Sequence, residues 1–258
     1  MEQIRKSVNN KPKKQTNKDV RPFSYAAVNA STLLEPFDGF NTIQRHVQMR
    51  GNDYVLNEYK FSAAPTIYEF LLSTDETMHI ILETYRVMLQ RLQTLGELRL
   101  VHRDICAATI QIRDDNTPML CDFENCVSFD DALSVETITR AFIPLEQLDK
   151  GRLGKSVDLD DYVEQFAFLD AFFTKSYRVE CLAETHKHAN IYVATWDNFA
   201  LSVVYLQLIA QFADKSKPFI IDFVNLLIRN ISPCPHKRMT VGETVDEFDK
   251  LFMKHTDY

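Results

Sequence analysis

The sequence predicts an α+β protein, mostly helical, with a smaller strand-bearing part on its N-terminal side. Three observations predict this class. Between residues 77 and 95, Met78, Ile81, Leu82, Tyr85, Met88, Leu89, Leu92 and Leu95 recur at three- and four-residue steps, the period of an amphipathic helix. Residues Trp196 to Phe212, WDNFALSVVYLQLIAQF, are apolar nearly all round, which marks a helix buried inside a domain. Upstream, Gln44 to Met49 and Asp53 to Glu58 flank Gly51-Asn52, a pattern for two strands joined by a tight turn.

The remaining elements follow in order. Residues 1–21 hold seven Lys/Arg against two acids, a net +5 in a chain of −7, which leaves −12 on the rest. This composition predicts a disordered basic tail on an acidic body, suited to tethering on nucleic acid or another acidic surface. Phe23 to Val28 reads as a short strand and Ile67 to Leu72 as a short helix. Gly96 is placed to end the 77–95 helix. Residues 98–101, 110–112 and Leu120 to Phe123 read as short extended pieces, the last after the Asp114-Asp115-Asn116-Thr117-Pro118 turn. Val163 to Phe173 is a helix candidate and 174–195 a polar loop. Pro218 to Ile231 reads as a helix closed by Ser232-Pro233-Cys234-Pro235. A final amphipathic helix spans Thr240 to Lys254, with Val241, Thr244, Val245, Phe248, Leu251 and Phe252 on its inner face.

Composition sets further bounds. With 258 residues, 45% of them apolar, the chain can bury a substantial core, which excludes a mainly disordered protein. The N-terminal stretch has no apolar core of a secretory signal, and no apolar run approaches the ~20 residues of a membrane span. The expectation is an intracellular protein without a membrane partner. Cys106, Cys121, Cys126, Cys181 and Cys234 show no repeated CxxC spacing, so free thiols are expected and zinc is not.

The segment that carries chemistry is Leu100 to Cys126, LVHRDICAATIQIRDDNTPMLCDFENC. His102-Arg103-Asp104 stands on a loop after a helix, and Asp122-Phe123 follows 18 residues after Asp104. Phosphoryl transfer needs one carboxylate to orient the attacking hydroxyl and another to hold magnesium on the phosphates. In this pattern the chain resembles the eukaryotic-type protein kinase family. His102-Arg103-Asp104 looks like the HRD of the catalytic loop, and Asp122-Phe123-Glu124 looks like the DFG triplet at the usual spacing. Tyr54 to Tyr59 looks like the strand leading into the hinge. Ser232 to Thr240 resembles the turn whose arginine, here Arg238, locks the C-lobe.

The resemblance implies a kinase-like fold with a basic tail at 1–21, a reduced N-lobe and hinge at 22–60, and a mostly helical C-lobe at 61–258. It implies Asp104 and Arg103 as catalytic residues and Asp122 as the metal ligand, with Thr109 beside it at the nucleotide. His102 is implied to be a packed structural residue. An aspartate should begin the central helix and bond to the HRD backbone. Asp197 fits that role, with Leu182-Ala183-Glu184 as the motif before it. Asp158 or Asp160 after Ile143-Pro144-Leu145-Glu146 is the rival. Arg238 is then expected against Glu184 or Glu146.

The departures from the family matter as much. Before the catalytic loop the glycines are Gly39, Gly51 and Gly96, so no G-x-G pair is available to approach phosphates. Asn29 follows Ala26-Ala27-Val28 where the strand lysine should stand. Thr109 replaces the metal-binding asparagine, Cys106 the loop lysine, and Glu124 the DFG glycine. These losses imply a protein with lost or strongly impaired phosphoryl transfer, binding no cofactor and acting as a protein-binding scaffold or assembly component. The alternative is a divergent active Ser/Thr kinase that uses ATP and magnesium. Compact kinase-like proteins of large DNA viruses share these traits, which adds the virion to the expected locations.

Overall fold

The structure is a computed structural model, and it describes residues 43–49, 52–58, 64–132, 144, 166, 168, 192–232 and 234–255. These are mostly helical, with short strands in three two-stranded sheets, an α+β arrangement. The expected tail at 1–21, the strand at Phe23–Val28 and most of the helix at Val163–Phe173 lie outside them, as do Cys181, Asp158 and Asp160.

Strands β1 (Ile43–Met49) and β2 (Asn52–Glu58) form an antiparallel hairpin. Met49 pairs with Asn52, so Asn52, expected in the turn, belongs to β2. Helix α1 (Ile67–Leu72) starts on a capping box: the Glu69 backbone N–H donates to Thr66 Oγ1, and the Thr66 N–H donates to Glu69 Oε2 at 2.8 Å.

Helix α2 (Thr77–Glu97) buries Ile81, Tyr85, Met88, Leu89, Leu92 and Leu95, the stripe read from the sequence. Gly96 does not end it. The helix runs on to Glu97, and the left-handed residue that turns the chain is Arg99, with φ 54°. The Arg99 N–H donates to the Gly96 carbonyl at 3.0 Å, and its guanidinium pairs with Asp130 at 2.9 Å. A glycine would fit that conformation at lower cost.

Four short strands then carry the motif segment. Strand β3 (Leu100–Val101) pairs with β6 (Val127–Ser128), and β4 (Ile110–Ile112) pairs with β5 (Pro118–Leu120), both antiparallel. The strand expected at Leu120–Phe123 therefore ends at Leu120. Cys121 still joins the ladder, donating its N–H to the Thr109 carbonyl at 2.9 Å. The chain then turns left-handed at Asp122 and enters a 3₁₀ turn, Phe123–Asn125.

Helix α3 (Trp196–Phe212) is the centre of the fold. It packs on α2 and on α4 (Pro218–Asn230), while α5 (Val241–His255) packs on α2 and α4. The span Val193–Phe212 is long and apolar enough to cross a membrane, yet 83% of the tested stretch is buried inside the protein, the place of a core helix. Around Tyr85 stand the rings of Tyr205, Phe223 and Phe248, edge-on, with centroids at 4.8, 5.0 and 5.2 Å. Rings this buried contribute their apolar area and favourable edge contacts together.

Buried polar residues of α3 bond to its neighbours inside this core. Asn198 Nδ2 donates to the Met239 carbonyl and to Thr244 Oγ1 at 2.8 Å. Thr244 Oγ1 lies 3.1 Å from Asn230 Oδ1, and Asn230 Nδ2 donates to Ser202 Oγ at 3.0 Å. Tyr205 donates to Thr84 Oγ1 at 2.9 Å. Paired in this way, buried polar groups avoid the cost of leaving water unsatisfied.

Candidate functional site

The candidate site is built where the loop between β3 and β4 meets the turn after β5. Its anchor is Asp197, in the first turn of α3. The carboxylate accepts the backbone N–H of His102 at 2.7 Å through Oδ2 and that of Arg103 at 3.0 Å through Oδ1. Asp197 thus begins the central helix and bonds to the loop backbone. Burial pushes its carboxyl up to about 6, against the two N–H bonds and the Arg103 charge, which pull it down. Arg103 is itself buried and left-handed, with φ 68°, a conformation costly for a side chain of its size. The two bonds to Asp197, one on Arg103 itself and one on the residue before it, hold that strained backbone.

His102 is fully buried and stitches the loop to the turn. Its Nδ1 accepts the Asp104 N–H at 3.3 Å, which leaves the proton on Nε2, 3.0 Å from the Cys121 carbonyl. Its ring meets Phe123 edge-on at 4.6 Å. Burial pushes the imidazole down to about 4, opposed by the Cys121 bond, so the ring is neutral at pH 7.

Asp104 is buried at the head of the loop, and its Oδ2 accepts Asn125 Nδ2 at 3.1 Å. Asp122, left-handed with φ 65° and ψ 67°, opens the turn that carries Asn125. The fold therefore brings Asp104 and the Asp122 turn together, as the motif spacing suggests. Asn125 was not singled out from the sequence. An amide three residues after an aspartate carries no signal until the turn that aims it is known.

Thr109 ends the 3₁₀ turn Ala107–Thr109. Its hydroxyl accepts the Cys106 N–H at 3.0 Å and faces the carbonyls of Cys106 and Asp104 at 3.0 and 3.2 Å. A hydroxyl so occupied with its own loop is poorly placed to ligate magnesium. Of the residues that the kinase resemblance assigns to ATP and magnesium, Thr109 serves its own loop backbone, and Asp122 stands half-buried at the head of the turn. Among the described residues, no three His, Cys, Asp or Glu side chains gather as a metal-holding group. Glu124 is exposed on the turn beside Asp122.

Cys106, Cys121, Cys126 and Cys234 are free thiols. Burial pushes the Cys121 thiol up to about 12, and the nearby Asp122 and Cys106 add to the shift. Arg238 is buried, donates Nε–H to the Ser232 carbonyl at 2.7 Å and lies over the Phe199 ring at 4.8 Å, which ties the closing turn to α3. Glu146 and Glu184, its expected partners, lie outside the described residues. Among the acids that follow the motif segment, Asp130 pairs with Arg99, and Asp131 accepts from Ser128 Oγ at 2.7 Å.

Compared with models of known families and with curated proteins, the chain matches none.

Proposed function

We propose that this chain is a degenerate kinase-like protein in which phosphoryl transfer is lost or strongly impaired, and whose helical C-lobe serves as a protein-binding scaffold or assembly component. The observation that carries the kinase-like reading is the Asp197 clamp. One buried carboxylate at the start of the central helix takes the backbone N–H groups of both His102 and Arg103, and so fixes the loop that presents Asp104. Arg103 and Asp104 are then vestigial catalytic residues, Asp122 is a vestigial metal ligand, and His102, Asp197 and Arg238 are structural.

Loss of transfer is supported by what surrounds these residues. Thr109 turns its hydroxyl into its own loop, Asp104 accepts an amide, and Glu124 adds an acid beside Asp122. Each change removes electrostatic stabilisation from a transition state that gathers negative charge, and such losses multiply. The retained pair Asp104 and Asp122 favours the second reading, a divergent Ser/Thr kinase using ATP and magnesium.

A thermal-shift titration with ATP and magnesium tests the choice. A ligand that binds the native state raises its melting temperature, so the scaffold reading expects no shift. Label transfer from radioactive ATP that disappears in Asp104→Ala would reverse the ranking. On this reading the basic tail at 1–21 adds a contact with nucleic acid or an acidic surface, and the protein acts inside the cell or virion. Pull-downs with and without residues 1–21 test that contact.

A further inference from the structure

We infer that Asn125 is a positioning residue whose carboxamide latches Asp104 to the turn after Asp122 and takes up an oxygen that an acceptor hydroxyl would have to meet. The latch deepens the function proposed above, and rests on it only in treating Asp104 as the carboxylate that faces such a hydroxyl.

Loop and turn already touch through the backbone and the core. His102 Nε2–H donates to the Cys121 carbonyl, the Cys121 N–H donates to the Thr109 carbonyl, and His102 packs on Phe123. All of these contacts lie before Glu124. The last residue of the turn reaches back separately, through Asn125 Nδ2 to Asp104 Oδ2 at 3.1 Å. Within the turn the backbone makes one closing bond of its own, the Cys126 N–H donating to the Phe123 carbonyl at 3.1 Å, so the Asn125 carboxamide is the described side-chain tie between turn and loop that reaches Asp104. A donor on a carboxylate makes a charge-assisted bond, stronger than a neutral one. It joins two segments that each contain a left-handed, strained residue, Arg103 and Asp122. Releasing it removes one of the ties that hold the carboxylate and the turn in place.

The test is hydrogen exchange on the full chain, read at peptides covering residues 122–126 and, as a control, α3. Asn125→Ala should speed exchange in the turn about tenfold to a hundredfold, the loss of one hydrogen bond to a charged group, with α3 unchanged. Asn125→Asp should do at least as much, since two carboxylates then face each other. The exchanged pair, Asp104→Asn with Asn125→Asp, should restore protection by reversing donor and acceptor. Unchanged exchange in Asn125→Ala, or a double variant no better protected than Asn125→Asp, would overturn the latch. Label transfer from radioactive ATP to a Ser/Thr peptide library is measured alongside. Transfer that appears in Asn125→Ala and vanishes when Asp104→Ala is added would support the latch as a self-inhibiting contact, and would overturn the loss-of-transfer reading instead.

Discussion

Replacing Asp197 with alanine tests the clamp most directly. The change leaves two buried backbone N–H groups, those of His102 and Arg103, without their acceptor. Each unsatisfied buried group costs about 1–3 kcal/mol, so the variant should lose about 2–6 kcal/mol near pH 7. The loss should also depend on pH in a specified direction. Burial raises the folded carboxyl to about 6 from an ordinary value of 3.8, so the folded state binds this proton more tightly than the unfolded chain does. The penalty of the buried charge is present above about pH 6 and is relieved as pH falls towards 3.8. Wild type gains that relief and Asp197→Ala does not, so the stability gap should widen by about 2 kcal/mol between about pH 7 and pH 4.5. Urea melts of both proteins at the two pH values measure it, and taking the difference cancels groups common to both. A gap that stays constant or narrows in acid would refute the buried, charge-bearing clamp.

Other outcomes follow from the same contacts. His102 is held at about 4, below its unfolded value near 6.5, so it contributes stability at neutral pH that is lost as pH falls from about 6.5 to 4; His102→Phe should remove that acid-side loss in pH-dependent melts. Tyr85→Ala empties the space among Tyr205, Phe223 and Phe248 and should cost about 3–5 kcal/mol by denaturant unfolding. Thr244→Val keeps the shape but removes the hydroxyl between Asn198 and Asn230, for a loss of about 1–3 kcal/mol by the same measurement. Arg99→Gly relieves a left-handed backbone while giving up an exposed ion pair with Asp130 and a guanidinium contact 5.6 Å over the Phe129 ring, so the melting temperature should stay nearly unchanged.

Periodicity made the helices legible. The stripe from Met78 to Leu95 and the all-apolar run from Trp196 correspond to α2 and α3 almost residue for residue, because burial is what both patterns encode. Failures occurred where backbone conformation decides. Gly96 looked like the stop of α2, but the left-handed position fell to Arg99, whose guanidinium found Asp130. The strand drawn through Phe123 stops at Leu120 because Asp122 turns left-handed. At the site, the resemblance to the kinase family, carried by His102-Arg103-Asp104 and Asp122-Phe123, pointed to His102, Asp104, Asp122 and Asp197, with Asp158 or Asp160 as rival to the last. Asn125 was invisible, because its part depends on the direction of one turn, and Thr109 gave no sign that its hydroxyl would fold back on Cys106.

The run of amides and hydroxyls through Asn198, Thr244, Asn230 and Ser202 sets how α3, α4 and α5 may be arranged. Sliding any one of these helices by a turn would strand donors in a dry interior, whereas exchanging one apolar neighbour for another of similar size would not. Helix alignment is thus fixed by residues that have no share in the loop around Asp104. That separation lets the loop around Asp104 vary in sequence while the helices beneath keep their alignment.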